Sequence, residues 1–543
     1  MSTRSGTGLE VLSHTFESPE LVRDWLAGEP EASRFYPGHP ADLTSYRSPW
    51  KGADEGDPVD PAEQRSRREA VAESLTGGGA QRDSRLLEFV RDEGFVVTTG
   101  QQPGLLGGPL YVVYKALTAI ALAERLQLRL GKPVLPVFWI GSEDHDWEEA
   151  RTHTLLDQEN ELRRVELPAD SSLSPSLYRR VPGDALSRAV EELLSHLPET
   201  EFSEPWAHLL RQSASSRSSH ARSFEVILEG LLADRGLFLL TSHAPVLKAS
   251  TSALLLRELE HSEESEAALE GRVRELSQAG FSSPVSILSG ATNVFVAGRE
   301  GRDRLLRTAE GFRARHSGEE WTLEELGNLA AAHPEALSPN VLLRPVVEAA
   351  FLPTLAYVGG PGEMAYLAQT APLFSLHGLG RPMVHPRASL TLVEGKIGKV
   401  MEKYDLDLQT LARPHDEVAN LLVREELPEE IRRAVGTLRG EVARGTKELA
   451  QAVATLDPTL SGVAQQVRSA AFTQLDEVEK KVRQALKREN AIALQQVAKA
   501  QRHFFPDGKP QERSQSIWYY LSRYGDDLLD ELTQESREAV LPE

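Results

Sequence analysis

Thr98 to Lys115 reads TTGQQPGLLGGPLYVVYK, preceded by GFVV (Gly94–Val97) and followed by ALTAIALAERL (Ala116–Leu126). A short apolar run passes through glycines and glutamines into a helical pattern, which is the layout of a strand handing over to a helix. Glycines at 100, 104, 107 and 108 permit backbone shapes and close approaches that other residues resist. The loop ends at a helix start, where unpaired backbone N–H groups favour an anion. Gln101 and Gln102 can donate and accept hydrogen bonds, and Lys115 is placed to point back at a charge. The pattern is neither GxxxxGK[ST] nor GxGxxG, so neither nucleotide fingerprint applies. Two readings stand: a loop that holds a ligand, or a tight turn that packs helix on strand.

The same alternation recurs outward from this stretch. VLPVFWIG (Val134–Gly141) precedes the acidic SEDHDWEEA, LFLLTS (Leu237–Ser242) precedes a helical pattern, and PTLAYVGG (Pro353–Gly360) precedes GEMAYLAQTAPLF. RPMVHPRASLTLV (Arg381–Val393) closes the series. Short apolar runs alternating with amphipathic helices predict an α/β fold with a parallel sheet wound by helices, and runs such as VLPVFW that do not alternate fit strands buried on both faces.

Two spans, 155–225 and 270–345, read as insertions in the crossovers of this sheet. The second contains a hairpin-like piece, SPVSILSGATNVFVAG (Ser283–Gly298). Residues 1–90 are expected to pack on the core that spans 91–400. From 401 to 505 the pattern becomes two long helices separated by DPTLSG (Asp457–Gly462), an antiparallel coiled-coil arm. Leu475, Val478, Val482 and Leu486 recur at spacings of three and four and predict its seam. Residues 506–543 are expected to return to the core.

The chain has 543 residues, no cysteine and a net charge of −21. The missing thiols exclude disulfides, thiolate metal sites and a cysteine nucleophile. The negative charge disfavours broad nucleic-acid binding, although basic residues outnumber acidic ones between Arg439 and Arg502. No window approaches a membrane span and the start lacks a secretory layout, so a soluble, cytoplasmic protein is expected.

Three further clusters carry candidate chemistry. Glu143, Asp144, His145 and Asp146 follow a strand, at the sheet edge where open parallel sheets bind ligands. Such a cluster can orient an amine or shift its own pKa values, or it can simply cap a helix; no metal site is expected. Asn340 and Arg344 precede PTLAYVGG, Gly360 ends it, and Gly362 and Glu363 follow. Arg344 suits a carboxylate clamp, or an Arg–Glu pair holding the helix. Last, HFFPDGKPQERSQSIWYYLSRYG (His503–Gly525) gathers aromatics with basic residues. His503, Lys509, Gln511, Arg513 and Tyr520 suit a nucleotide, or an aromatic helix anchored to the core.

TGQQPGLLGGPLY, VFWIGSEDHDWEEA, YVGGPGEMAY and PDGKPQERSQSIWYYLSRYG together resemble the bacillithiol biosynthesis cysteine-adding enzymes, the BshC family. The resemblance runs from about Phe95 to Gly525, in the expected order. It implies a Rossmann-like core of the nucleotidyltransferase kind, similar in architecture to class I aminoacyl-tRNA synthetases, with connecting-peptide insertions, a C-terminal coiled coil and dimerisation through that arm. It also implies a ligase that joins cysteine to the amine of glucosaminyl malate.

A carboxylate acylates an amine only after activation, so ATP or another activating nucleotide is expected. Within that reading, the Gly100–Gly108 loop binds an anionic group and Asp144 and Asp146 orient or deprotonate the amine. His145 is the alternative base, and Arg344 and Arg387 are carboxylate clamps. Two rivals remain: an adenylating enzyme acting on tRNA, and a scaffold whose pocket only senses a metabolite.

Overall fold

Seven residues from Phe95 to Gln101, FVVTTGQ, form the first long strand, and six of them are buried. The run does not alternate because both sheet faces are covered. This strand belongs to a six-stranded sheet: β1 (Thr76–Gly77), β2 (Phe95–Gln101), β3 (Val134–Ile140), β4 (Phe238–Thr241), β5 (Thr354–Gly359) and β6 (Met383–Pro386). The order across the sheet is β6-β5-β2-β3-β4-β1. All pairs are parallel except the short β1, which runs antiparallel to β4. The computed structural model describes residues 3–4, 8–14, 18–48, 50, 61–169, 175–298, 301–422, 428–457 and 461–540.

Helix α1 (Leu110–Leu130) follows β2 and is buried along most of its length, ending at Gly131 in a left-handed C-cap. Helix α2 (Pro245–Glu260) follows β4, and α3 (Pro361–Leu367) follows β5. From β2 the chain steps outward to β3 and β4, then returns to β2's other side for β5 and β6. That reversal creates a crevice at the carboxyl ends of β2 and β5, the usual ligand position in open parallel sheets.

The chain divides into two units. One comprises residues 1–393 and 511–543, the other residues 394–510. The insertion after β3 holds the hairpin Thr152–Leu156 with Leu162–Glu166 and three helices between Asp184 and Leu232. The insertion after α2 holds a five-stranded antiparallel sheet. Its central hairpin pairs Ala291–Gly298 with Gly301–Arg307, one strand later than SPVSILSGATNVFVAG suggests, because residues 283–290 make no strand. Leu390–Glu394 also departs from the expected series: it leaves the main sheet and joins a separate one with Leu9–Ser13.

The second unit contains α4 (Glu429–Ala454) and α5 (Ser461–Phe504), packed along each other. Arg439 of α4 pairs with Asp476 and Glu479 of α5. Leu475 is buried at this seam, but Val478 is 47% exposed and lies outside it. The DPTLSG break falls partly outside the described residues.

Candidate active site

A cavity of about 550 Å³ sits at the carboxyl ends of the parallel strands. Gly100, Gln101 and Gln102 reach it from the end of β2, Glu143 and Asp144 from beyond β3, and Gly360, Gly362 and Glu363 from beyond β5. Gly100 is required by close packing, since a Cβ there would lie 2.8 Å from the Trp139 carbonyl oxygen.

Lys115 is 1% exposed yet reaches the cavity floor. Its ammonium donates to the Gly100 carbonyl at 2.7 Å and to Gln101 Oε1 at 3.0 Å, and it pairs with Glu363 at 2.5 Å. Burial pulls the Lys115 pKa down, with Glu363 opposing. Burial pushes the Glu363 carboxyl up, but Lys115, the Gly360 N–H and the Tyr357 hydroxyl outweigh it and hold the carboxyl below its ordinary range. The lysine therefore does point back at a charge, and that charge is an internal one.

The rest of the opening loop is not open. Leu105 and Leu106 are buried, the Leu110 N–H at the start of α1 donates to the Gln515 carbonyl at 2.8 Å, and Trp518 Nε1 donates to the Leu106 carbonyl at 2.7 Å. Protein backbone, rather than an anion, occupies the first N–H of this helix. Gly104 does not line the cavity; it allows the turn to close, since a Cβ there would meet Gly108 Cα at 3.0 Å. The loop therefore divides: residues 100–102 face the cavity, and the stretch from Leu106 to Leu110 packs against Gln515 and Trp518.

The acidic cluster also divides. Glu143 is buried and paired with Lys248 at 2.7 Å. Asp144 is half-buried, and its Oδ1 accepts the His145 and Asp146 backbone N–H groups at 2.6 and 3.1 Å. Asp146 is exposed and caps the short helix Trp147–Ala150, accepting from the Glu149 N–H at 3.1 Å. His145 lies beside the cavity, with Nδ1 3.4 Å from Arg302 Nη1. Burial and then Arg302 lower its pKa, so it stands as a neutral acceptor.

Asn340 lines the cavity, but its Oδ1 caps the Leu342 and Leu343 N–H groups and its amide donates to Asn293 at 2.7 Å. Arg344 pairs with Glu348 at 2.5 Å. Arg387 makes a two-pronged pair with Glu512 at 2.8 and 2.5 Å, with both side chains 3% exposed. Both arginines line the cavity and both are already held by an internal carboxylate.

The five residues expected to hold a nucleotide are divided between the two units. His503 and Lys509 belong to the helical unit, the other three to the first unit. Gln511 is committed to the backbone of Leu392 through both ends of its amide, and the Tyr520 hydroxyl donates to Gln515 at 2.6 Å. Arg513 alone of the five lines the cavity. Sequence reasoning missed Tyr111, Phe295, Arg302 and Arg304, which also line it. Tyr111 sits one turn before Lys115, a signal that helical spacing carried. The other three come from the inserted sheet, and no local pattern marks them.

A parallel sheet that reverses its strand order, with a charged cavity at the reversal point, defines a Rossmann-like protein. Residues 9–388 match the family model described as bacillithiol biosynthesis BshC, N-terminal Rossmann-like domain, and residues 390–539 match the BshC C-terminal coiled-coil domain. The chain belongs to the BshC family. It is 31% identical to the BshC protein of Salinibacter ruber, over 95% of this chain and 93% of that one. It is 33% identical to that of Chlorobaculum tepidum over 87% of each chain, and 34% identical to that of Symbiobacterium thermophilum over 82% of each. The names of these relatives describe candidate cysteine ligases. An alignment with Thermus thermophilus arginyl-tRNA synthetase, 12% identical and covering 98% of this chain and 95% of that one, has a TM-score of 0.16.

Proposed function

We propose that this chain is the cysteine ligase that completes bacillithiol in the cytoplasm, joining the cysteine carboxyl to the amine of glucosaminyl malate. The observation that carries this reading, beside family membership, is a cavity with an anchored carboxylate, Asp144, facing a wall of cations. Two backbone N–H groups fix Asp144 through Oδ1. Among the described residues Oδ2 has no donor, so it is the oxygen that receives a proton from the sugar ammonium or amine.

In the bond-forming step the amine nitrogen attacks the carbonyl carbon of cysteine. The activated oxygen leaves with its activating group, and the nitrogen's surplus proton passes to Asp144. Activation must precede attack, and a nucleoside triphosphate is the proposed co-substrate. Holding both reactants within about 3–3.5 Å in the cavity supplies the rest of the advantage. The test is mass spectrometry of wild type and Asp144→Asn supplied with cysteine, glucosaminyl malate and ATP. Product from the wild type and roughly 100-fold less from the variant, within the usual range for a lost general base, is expected. Equal rates would remove Asp144 from the reaction.

Dimerisation through the arm is proposed on a separate observation. Val463, Val467, Val478 and Ile492 of α5 are 45–54% exposed, and at 3.6 residues per turn they fall within about 60° of one another. An apolar stripe of this kind suits a second copy of the same chain. Sedimentation of Val467→Glu should show monomer where the wild type shows dimer; a wild-type monomer at high concentration ends the proposal.

A further inference from the structure

The cavity holds more cations than its own carboxylates neutralise. Lys115, Arg344 and Arg387 are each paired at 2.5 Å with Glu363, Glu348 and Glu512. Arg302 and Arg304, which face the same cavity from the inserted sheet, have no ion pair among the described residues. The acids whose charge acts on Arg302 are Glu143 and Asp144. Glu143 is held by Lys248, and the Oδ1 of Asp144 by two backbone N–H groups. Near Arg304 stands a further cation, Arg315.

Neutral groups hold the two guanidiniums in place. Arg302 Nε donates to Ser338 Oγ at 2.9 Å and Nη2 to the Pro339 carbonyl at 2.5 Å. Both guanidiniums lie over the Phe295 ring, at 4.1 Å for Arg302 and 5.0 Å for Arg304. Phe295 is the register partner of Arg304 across the hairpin. Residues two apart on a strand share a face and stand roughly 6.6 Å apart. Each arginine is thus fixed in direction without being neutralised, which is a preorganised receptor for anions.

We propose that Arg302 and Arg304 form a dicarboxylate receptor that takes the malyl end of the substrate. This rests on the ligase reading above for the identity of the substrate, but the receptor itself is defined by its own charge and geometry. Two carboxylates joined through two carbons match a pair of guanidiniums on alternate residues of one strand. Arg344 and Arg387 would have to abandon buried carboxylates to do the same work, leaving charges unpaired in the interior. Seating the malyl group here brings the sugar toward Asp144, whose charge acts on Arg302.

The experiment is calorimetric titration of wild type, Arg304→Gln and Arg302→Lys with L-malate and with its uncharged diamide. Thermal melts report whether each variant is folded. Arg304 makes no side-chain hydrogen bond among the described residues, so its replacement should leave the fold intact. The expected result is malate binding by the wild type, none of the diamide, and a loss of at least about tenfold in Arg304→Gln, the low end for removing one partner of a close charge pair. Arg302→Lys keeps the charge without the fork and should fall between. Malate affinity in Arg304→Gln within twofold of wild type overturns the receptor, as does wild type that binds malate and diamide alike or binds neither. Turnover of glucosaminyl malate separates the two readings. A receptor that behaves as expected in a protein that makes no bacillithiol leaves the receptor standing and removes the ligase. Ligation with an unchanged KM in Arg304→Gln does the reverse.

Discussion

Replacing Glu512 by Gln leaves the Arg387 guanidinium in a site that is 3% exposed, facing an amide where a two-pronged carboxylate stood. Breaking a buried pair by removing one partner costs about 3–5 kcal/mol, most of it the desolvated charge left behind. For a unit of roughly 400 residues the unfolding entropy near the midpoint is about 0.8 kcal/mol/K, so the Tm should fall by about 4–6 °C. Differential scanning calorimetry measures this directly, because the transition of the first unit is the one that moves. The control is Arg387→Met combined with Glu512→Met. Replacing both charges by apolar groups of similar length removes the unpaired charge, and stability should return to within about 2 kcal/mol of wild type. If the losses of Arg387→Met and Glu512→Met measured singly simply add in the double variant, or if Glu512→Gln shifts the Tm by less than about 1 °C, the pair is not a structural clasp and Arg387 is available to a substrate.

Acid should unfold the first unit before its carboxylates titrate. Burial lowers His14, His153 and His220 to about 4 and His385 to about 3. These groups stay neutral in the folded state while the unfolded chain takes up protons below its ordinary 6.5. Stability is therefore full above pH 6.5 and falls as pH drops from there toward about 4, by about 1.4 kcal/mol per pH unit per histidine. A denaturant midpoint that stays flat from pH 7 to 5 would contradict this. Gly100→Ala places a methyl 2.8 Å from the Trp139 carbonyl; a loss of about 1–3 kcal/mol is expected, together with weaker substrate binding, measured by melting and calorimetry. In the arm, Leu475→Ala should cost roughly 2–4 kcal/mol whereas Val478→Ser should change monomer stability by less than about 0.5 kcal/mol, as read by circular dichroism at low concentration.

Much of the sheet was legible because its signals are local. The glycine-marked end of β2, the unalternating run of β3 and the acidic turn after it each announce themselves within ten residues. The end of α1 at Gly131 is equally local. What the sequence hid depends on contacts between distant segments. Nothing near Leu106 and Leu110 says that Trp518 and Gln515 will close on them, so an open anion loop and a packed turn read alike. For Arg344 a carboxylate clamp and an Arg–Glu pair holding the helix read alike until Glu348 is seen beside it, while Arg387 looks like a free clamp until Glu512, 125 residues away, is found on it. Arg302 and Arg304 look like two charges on an exposed strand, and become a wall only when the inserted sheet is set against the end of β3. Val478 fits the seam by spacing, but the direction from which α4 approaches is not written in α5.

The first unit is completed by residues 511–540, which the chain reaches only after making the whole helical arm. At about 5–20 residues per second, synthesis of the stretch from Arg387 to Glu512 occupies about 6–25 s. Throughout that interval the nascent sheet lacks Trp518, Tyr519 and Tyr520, which share a core with Leu105, Leu106 and Leu110. A large apolar surface next to the future binding cavity thus waits on the ribosome without its cover. The protein should lean on chaperones during synthesis more than its finished stability suggests. A message cut short within the arm should yield an insoluble product rather than a smaller working core.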